Sequence, residues 1–345
     1  MINLLIDDKI PYIRGQAERL GNCTYMPGTK ITRKDVEGAD VLIVRTRTRC
    51  DASLLSGSSV KLVVTATSGY DHLDTEFLDS AGIAWYNCPA SNAMSVVQYV
   101  QTALLRLAHI GMVDLSMATV GIVGVGNVGS RLQKVLSQMG VRTLLCDPPR
   151  ADKGEQGFMP LSDLVLQSDV ITFHTPLTHK GIYATYHLAD AKFFSLCAQK
   201  RPVIINAARG GVVDEALLKQ ALSDGTVRAS VVDTWEGEPK IDAELLARCY
   251  IATPHIAGYS VDGKAKATRM ALEAVAKWLD RDISFVVEPP AITESYRYNM
   301  LEEPFCPELR YYDPLYDTAI FKTYPLLFEQ LRGSYPLRRE SLLPV

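Results

Sequence analysis

The stretch Thr119–Gly129, TVGIVGVGNVG, constrains this chain more than any other. Val120-Gly121-Ile122-Val123 is short, apolar and β-branched, the composition of a strand buried on both faces of a parallel sheet. Gly124-Val125-Gly126-Asn127-Val128-Gly129 then satisfies G-x-G-x-x-G, and Ser130–Met139 continues at helical spacing. In such a unit Gly124 turns the chain off the strand, Gly126 leaves room for a pyrophosphate, and Gly129 lets helix and sheet approach closely. The helix N-terminus presents unpaired N–H groups and a partial positive charge to the phosphates. A second strand, Thr143-Leu144-Leu145-Cys146, ends at Asp147, where a carboxylate reaches the ribose hydroxyls. With 23 glycines in 345 residues, the bare pattern arises by chance in roughly one such chain in ten. The argument therefore rests on the strand before it, the helix after it and the acid at the right distance. A dinucleotide is expected on Gly124, Gly126, Asn127, Val128, Gly129 and Asp147. The carboxylate of Asp147 repels a 2′-phosphate, so NAD is expected rather than NADP.

The length of 345 residues suits two domains or slightly more. A net charge of −3 lacks the basic balance that nucleic-acid binders need, so no nucleic-acid partner is expected. The seven cysteines (23, 50, 88, 146, 197, 249, 306) are odd in number and form no C-x-x-C pair, which reads as reduced thiols in a cytosolic protein. Met1–Asp8 lacks a basic n-region and reads as a first strand ending in acids. No apolar run approaches a membrane span, so a soluble, cytoplasmic protein without a membrane partner is expected.

Residues 1–95 alternate short apolar runs (Leu4–Ile6, Val41–Val44, Leu62–Ala66, Ile83–Tyr86) with helical segments, the rhythm of a small parallel α/β unit. Two of its strand ends carry polar clusters, Arg45-Thr46-Arg47-Thr48-Arg49 and Thr67-Ser68-Gly69-Tyr70-Asp71-His72. Ligands of open α/β sheets bind beyond the carboxyl ends of strands, so both clusters are site candidates, with a solvated loop as the alternative for each. The arginines tilt the first cluster towards an anion, and Arg45 and Arg47 are candidates for a phosphate or for structural ion pairs. Asn92–Ile110 carries apolar residues at helical spacing and leads into the nucleotide unit. Strands at 169–174, 203–206 and 230–233 extend a doubly wound sheet to about residue 255, and Val261–Asp280 is an amphipathic helix placed to cross back. The last 60 residues are rich in proline and tyrosine, which suits an appended module or a subunit interface rather than a disordered tail.

Three further clusters follow at strand ends: Asn206-Ala207-Ala208-Arg209-Gly210-Gly211, Asp233-Thr234-Trp235-Glu236-Gly237-Glu238-Pro239, and Thr253-Pro254-His255-Ile256-Ala257-Gly258-Tyr259. A lone histidine or glutamate is more often structural than catalytic, so the case rests on the set. Oxidising a 2-hydroxy acid requires removal of a hydroxyl proton, which a neutral histidine accepts and its imidazolium returns in the reverse direction. A carboxylate on the far ring nitrogen fixes the tautomer and stabilises the imidazolium. We therefore assign the acid/base to His255, its carboxylate partner to Glu238, and the bidentate grip on a substrate carboxylate to Arg209. No metal is expected.

These motifs resemble the D-isomer-specific 2-hydroxyacid dehydrogenase family, matching its glycine loop at Gly124–Gly129, its Arg-Gly-Gly segment at Arg209–Val213, its Glu-Pro segment at Trp235–Pro239 and its Pro-His segment at Pro254–Gly258. Val44-Arg45-Thr46, Thr65-Ala66-Thr67, Leu144–Asp152, His187-Leu188-Ala189-Asp190 and His255–Tyr259 extend the likeness over nearly the whole chain. The resemblance implies a doubly wound Rossmann NAD domain (96–257) inserted into a smaller flavodoxin-like α/β substrate domain (1–95, with a return helix in 258–284), and a C-terminal α+β dimerisation module (285–345). It implies NAD contacts at Asp147, Thr175, Ala208, Asp233 and Gly258, and substrate contacts at Thr46, Thr67 and Tyr259. The implied substrate is a small phosphorylated 2-hydroxy acid, and the implied state a homodimer. Thr46 stands where serine is common and keeps the hydroxyl; Gln98 replaces a common glutamate and Tyr70 a smaller residue. Another phosphorylated 2-hydroxy acid such as 3-phosphoglycerate, and an NAD-sensing scaffold on the same fold, are the alternative functions.

Overall fold

A computed structural model describes residues 2–289, 307–310, 312–336 and 338–340. The chain forms two compact units: residues up to Asn92 together with the stretch from Ser260, and Ala93–Tyr259 together with the described C-terminal residues.

The first unit is a five-stranded parallel sheet of β1 (Asn3–Asp7), β2 (Asn22–Met26), β3 (Val41–Val44), β4 (Leu62–Thr65) and β5 (Ala84–Tyr86), in the order β2-β1-β3-β4-β5. This is the flavodoxin-like 2-1-3-4-5 order. β3 and β4 are buried on both faces, as their unbroken apolar runs require. The helix Val261–Trp278 belongs to this unit. Ser260 accepts from the Gly263 N–H to start it, and Ala271, Leu272 and Val275 face the core with Leu4, Ile6, Ile43 and Val64.

The second unit is a six-stranded parallel sheet of β6 (Thr119–Val123), β7 (Arg142–Cys146), β8 (Val170–Phe173), β9 (Val203–Asn206), β10 (Ala229–Val232) and β11 (Ile251–Ala252), in the order β11-β10-β9-β8-β6-β7. The chain leaves β6 for β7 on one side and then returns to β8 on the other. The switch point thus falls between β6 and β8, where a doubly wound sheet opens a crevice at its carboxyl edge. Helix Ala93–His109 packs Val97, Val100, Leu104 and Leu107 into the core beside Val120 and Ile122. Helices Leu161–Gln167 and Ala191–Cys197 cover the other face with Leu164 and Phe193. The described C-terminal residues include helices Pro314–Thr323 and Phe328–Gly333. Much of the segment expected to complete an α+β module, and Cys306, lie outside the described residues. The six described cysteines are free thiols. No described helix is long and apolar enough to cross a membrane.

Candidate active site

The nucleotide loop is built as its glycines require. Gly124 has φ +86°, and a Cβ there would lie 2.8 Å from Thr175 Cγ2 and from the His174 carbonyl carbon, so the ends of β6 and β8 meet around it. A Cβ on Gly129 would lie 2.2 Å from the Gly124 oxygen, whereas one on Gly126 would meet nothing within 4 Å. The loop is therefore packed on its inner side and open at Gly126, the shape that receives a pyrophosphate at the N-terminus of helix Gly129–Gln138. Asn127 and Val128 complete the turn into that helix, with the Asn127 carbonyl accepting from Arg131 at 2.6 Å. Asp147 ends β7. Its Oδ2 accepts from the Val125 N–H at 2.8 Å and its Oδ1 from the Arg150 N–H at 3.2 Å, which fixes the carboxylate beside the loop. The Arg150 guanidinium donates to the Val125 carbonyl at 2.6 Å, closing the same corner. Thr175, just past β8, holds a buried hydroxyl without a partner among the described residues, the kind of orphan a bound ligand satisfies. These features fit NAD.

Arg209, Glu238 and His255 sit on three successive loops after β9, β10 and β11. The Asn206 side chain shapes the first: its amide donates to the Arg209 carbonyl at 3.0 Å and its oxygen accepts from the Ala208 N–H at 3.2 Å. The Arg209 guanidinium donates to the Ala208 carbonyl at 2.8 Å. Gly210 presses against the next loop so closely that a Cβ would lie 2.0 Å from the Trp235 oxygen. The Trp235 N–H donates to Glu238 Oε1 at 2.9 Å, and its indole N–H to the Thr253 carbonyl at 2.9 Å. Glu238 then accepts from His255 Nδ1, with Oε1 at 3.0 Å and Oε2 at 2.8 Å. Burial pushes the Glu238 carboxyl up, but the His255 hydrogen bond and charge, the Trp235 N–H and the Arg332 charge outweigh it and hold the group below the ordinary glutamate range. With Nδ1 engaged by Glu238, any proton that His255 exchanged with a ligand would pass through Nε2.

Asp233 plays a part that its spacing did not disclose. It is 1% exposed; Oδ1 accepts from the Thr253 hydroxyl at 2.6 Å and the Ile256 N–H at 2.8 Å, and Oδ2 from the Ala257 N–H at 3.0 Å. Its backbone carbonyl accepts from the His255 N–H at 2.8 Å. The carboxylate expected at the cofactor thus also braces the turn that carries His255. The Thr253 hydroxyl also meets the buried Tyr99 hydroxyl at 2.8 Å. Gly258 and Tyr259 follow in the same turn, both half-buried, and the Tyr259 ring stands edge-on to Tyr335 at 5.9 Å.

A second polar group was missed in the sequence. His187, with φ +51°, faces Glu236 Oε1 at 2.9 Å through Nε2 and Asp214 Oδ2 at 3.3 Å through Nδ1. Glu215 accepts from the Glu236 N–H at 2.7 Å, and burial first, then the charges of Glu236, Asp242 and Glu238, push its carboxyl up to about 7. His187 and these acids lie far apart in sequence and follow no fixed spacing, so only the assembled loops reveal them.

In the first unit, Thr46 and Thr67 follow β3 and β4 at their carboxyl ends. Thr46 is exposed. Thr67 donates to the Gly69 carbonyl at 2.8 Å and meets the Thr65 hydroxyl at 2.7 Å, which in turn meets His72 Nε2 at 2.9 Å. Burial holds the His72 imidazole down at about 4, so it is neutral near pH 7. Arg45 is committed to Asp7 at 2.9 Å, the structural of its two candidate roles. Tyr70 lies 46% exposed with its ring 5.3 Å from that of Trp85.

Residues 92–257 match the NAD binding domain of D-isomer specific 2-hydroxyacid dehydrogenases. The chain is 46% identical over 344 residues to erythronate-4-phosphate dehydrogenase of Bacteroides thetaiotaomicron, covering 99% of this chain and 97% of the relative. It is 41% identical over 346 residues to the enzyme of the same name from Escherichia coli, covering 99% and 88%. Among solved structures it is similar to D-lactate dehydrogenase of Aquifex aeolicus complexed with NAD and lactic acid, at TM-score 0.66 and 22% identity, covering 81% of this chain and 95% of the other. The chain belongs to the D-isomer-specific 2-hydroxyacid dehydrogenase family.

Proposed function

We propose that this dehydrogenase oxidises 4-phospho-D-erythronate to (R)-3-hydroxy-2-oxo-4-phosphooxybutanoate, a step towards pyridoxal 5′-phosphate. The class of chemistry rests on one observation, the carboxylate of Glu238 on His255 Nδ1. The choice of acid rests on the names of the relatives that match over nearly the full chain.

NAD, when bound, supplies the acceptor for the C2 hydrogen and its electron pair. The loop Gly124–Gly129, Asp147, Thr175, Ala208, Asp233 and Gly258 receive it. Arg209 grips the substrate carboxylate with its planar fork and polarises the neighbouring oxygen. His255 Nε2 takes the proton of the 2-hydroxyl, which leaves a carbonyl at C2 and an imidazolium on the enzyme. Glu238 holds Nδ1–H, so the ring starts in the tautomer with Nε2 open, and its charge stabilises the imidazolium as it forms. Thr46, Thr67 and Tyr259 bind the remainder of the acid. The protein works as a homodimer in the cytoplasm, a reading supported by the tyrosine- and proline-rich C-terminal segment and by the reduced cysteines.

The test is absorbance at the reduced-nicotinamide band after mixing the purified chain with 4-phosphoerythronate, with and without added NAD. A signal in either arm supports the reading, and the arm in which it appears tells whether NAD is carried or exchanged. A response to 3-phosphoglycerate with silence on 4-phosphoerythronate keeps the chemistry and replaces the substrate. Silence with every 2-hydroxy acid tried would refute it.

A further inference from the structure

The described C-terminal residues pack against the turn that carries His255, and they do so within the nucleotide-binding unit itself. Arg338 is 1% exposed, and its guanidinium lies 4.2 Å above the ring of the fully buried Tyr312. Nη2 donates to the Ala257 carbonyl at 2.6 Å and approaches the Ser95 carbonyl at 3.4 Å. The Ala257 N–H is held from the opposite side by Asp233. Both polar backbone groups of Ala257, two residues past His255 and two before Tyr259, are therefore pinned by buried charged side chains.

The neighbours of Arg338 work in the same direction. Tyr335 sets its ring against Tyr259 and is itself fixed by a hydrogen bond to Asp317 Oδ2 at 2.8 Å. Arg332 lies 5.9 Å from the Tyr259 ring centre, and its charge contributes to keeping Glu238 ionised. Helix Ala93–His109 completes the clamp, since Gln98 donates to the Arg339 carbonyl at 3.1 Å and Ser95 to Glu340 Oε1 at 2.8 Å. A guanidinium so deeply buried is tolerated only where acceptors and a π-face meet it. One of those acceptors is the turn that the reaction depends on.

We propose that Arg338 is a positioning residue for the oxidation: by holding the Ala257 carbonyl it fixes the direction of His255 and Tyr259 without touching substrate or cofactor. The proposal rests on His255 being the acid/base. It makes the C-terminal segment a working part of its own subunit's site, in addition to any contact with a second copy. Since the His255 backbone is left-handed, at φ +56°, a turn released from Arg338 relaxes towards an ordinary conformation and carries the imidazole with it.

The experiment compares the full chain with Arg338→Met and Arg338→Lys. It reads kcat, the KM for 4-phosphoerythronate, the Kd for NAD, and amide hydrogen exchange in residues 254–260. A misplacement of about 1 Å costs on the order of a hundredfold in rate. Arg338→Met is therefore expected to lower kcat by about ten- to a hundredfold and raise the KM for the acid severalfold. Its NAD Kd should rise by no more than severalfold, through Gly258 in the same turn, and exchange in 254–260 should quicken. Arg338→Lys, with one ammonium in place of the fork, should fall between parent and Met. A folded Met variant with kcat and KM both within about twofold of the parent overturns the proposal. Should the Met variant fail to fold, Arg338→Lys decides, and unchanged rates with unchanged exchange overturn it. The exchange arm needs no substrate, so an inactive parent would sink the function proposed above while still testing the brace.

Discussion

Replacing Glu238 with glutamine changes one heavy atom and should nearly abolish turnover. In the parent, Oε1 accepts from the Trp235 N–H at 2.9 Å, and Oε2 lies 2.8 Å from His255 Nδ1. A glutamine amide has one oxygen and one nitrogen to place at these two positions. With its oxygen on Trp235, its N–H₂ meets Nδ1 as a donor, and His255 must put its own proton on Nε2, where it cannot accept another. Turned the other way, the amide nitrogen faces the Trp235 N–H, donor against donor, inside a pocket where an unmade hydrogen bond costs about 1–3 kcal/mol. The variant also loses the negative charge that balances the imidazolium. An interaction of unit charges about 4 Å apart is about 4 kcal/mol at an effective dielectric constant of about 20, which sets the scale of that loss. An amide in place of the orienting carboxylate of a serine protease lowers kcat about 10⁴-fold for the same tautomeric reason. We expect kcat to fall about 10³-fold, with the NAD Kd within about twofold of the parent because Glu238 is not among the proposed NAD contacts. Steady-state rates at the reduced-nicotinamide band, with NAD binding measured separately, provide the assay. A Glu238→Gln enzyme with kcat within fivefold of the parent, on the order of 1 kcal/mol, would refute the assignment of both residues.

Two glycines should separate packing from ligand space. Gly210→Ala places a methyl on the Trp235 oxygen, which should cost about 2–4 kcal/mol in thermal unfolding and lower kcat through the displaced Glu238 loop. Gly126→Ala meets nothing in the protein, so its melting point should stay within about 2 °C of the parent while NAD affinity falls at least tenfold by calorimetry; equal NAD affinity would remove the pyrophosphate from this loop. Glu215 has its folded pKa raised from 4.5 to about 7, so it destabilises the fold progressively as pH rises through that window and does nothing below it. Glu215→Gln should therefore match the parent near pH 4.5 and exceed it by about 1–3 kcal/mol near pH 8 in denaturant titrations, and a gap that does not widen with pH would count against the buried, uncompensated carboxyl.

The nucleotide-binding half was readable because its signals are local. A strand, three glycines, a helix and an acid lie within 30 residues, and each element fails if its residue type changes. Other elements left no such mark. β2 (Asn22–Met26) is a solvent-facing edge strand without an apolar run, and β11 is two residues long. Asp233 could be recognised as a site residue but not as the brace it is, because its partners Ile256 and Ala257 reach it only after β11 has folded beside β10. Arg45 sits in a cluster whose composition suggests an anion, yet Asp7 at the end of β1 already supplies one. The C-terminal tyrosines and prolines suggested an appended module or a subunit interface, and composition alone could not say that the described C-terminal residues lie against the His255 turn.

The backbone of that turn explains why so many buried groups converge on it. His255 is held at φ +56°, a conformation that costs a non-glycine residue about 1 kcal/mol or more. Left to itself, the turn would relax and swing the imidazole away from Glu238. Three N–H groups donate to Asp233, from His255 to its carbonyl and from Ile256 and Ala257 to its carboxylate, and the Ala257 carbonyl is taken by Arg338. Their combined hydrogen bonds, each worth about 1 kcal/mol and more where a charge takes part, exceed the strain. The imidazole is thus aimed before any ligand arrives. Asp233 shows what that arrangement requires. Burial pushes its carboxyl up by more than His255, the Thr253 hydroxyl and the two backbone N–H groups pull it down, so the brace and the proposed acid/base share one electrostatic environment. A substitution at Asp233 would therefore alter both the aim of His255 and the charge beside it, whereas one at Arg338 alters chiefly the aim. That difference makes Arg338 the cleaner position from which to measure how much of the rate depends on geometry alone.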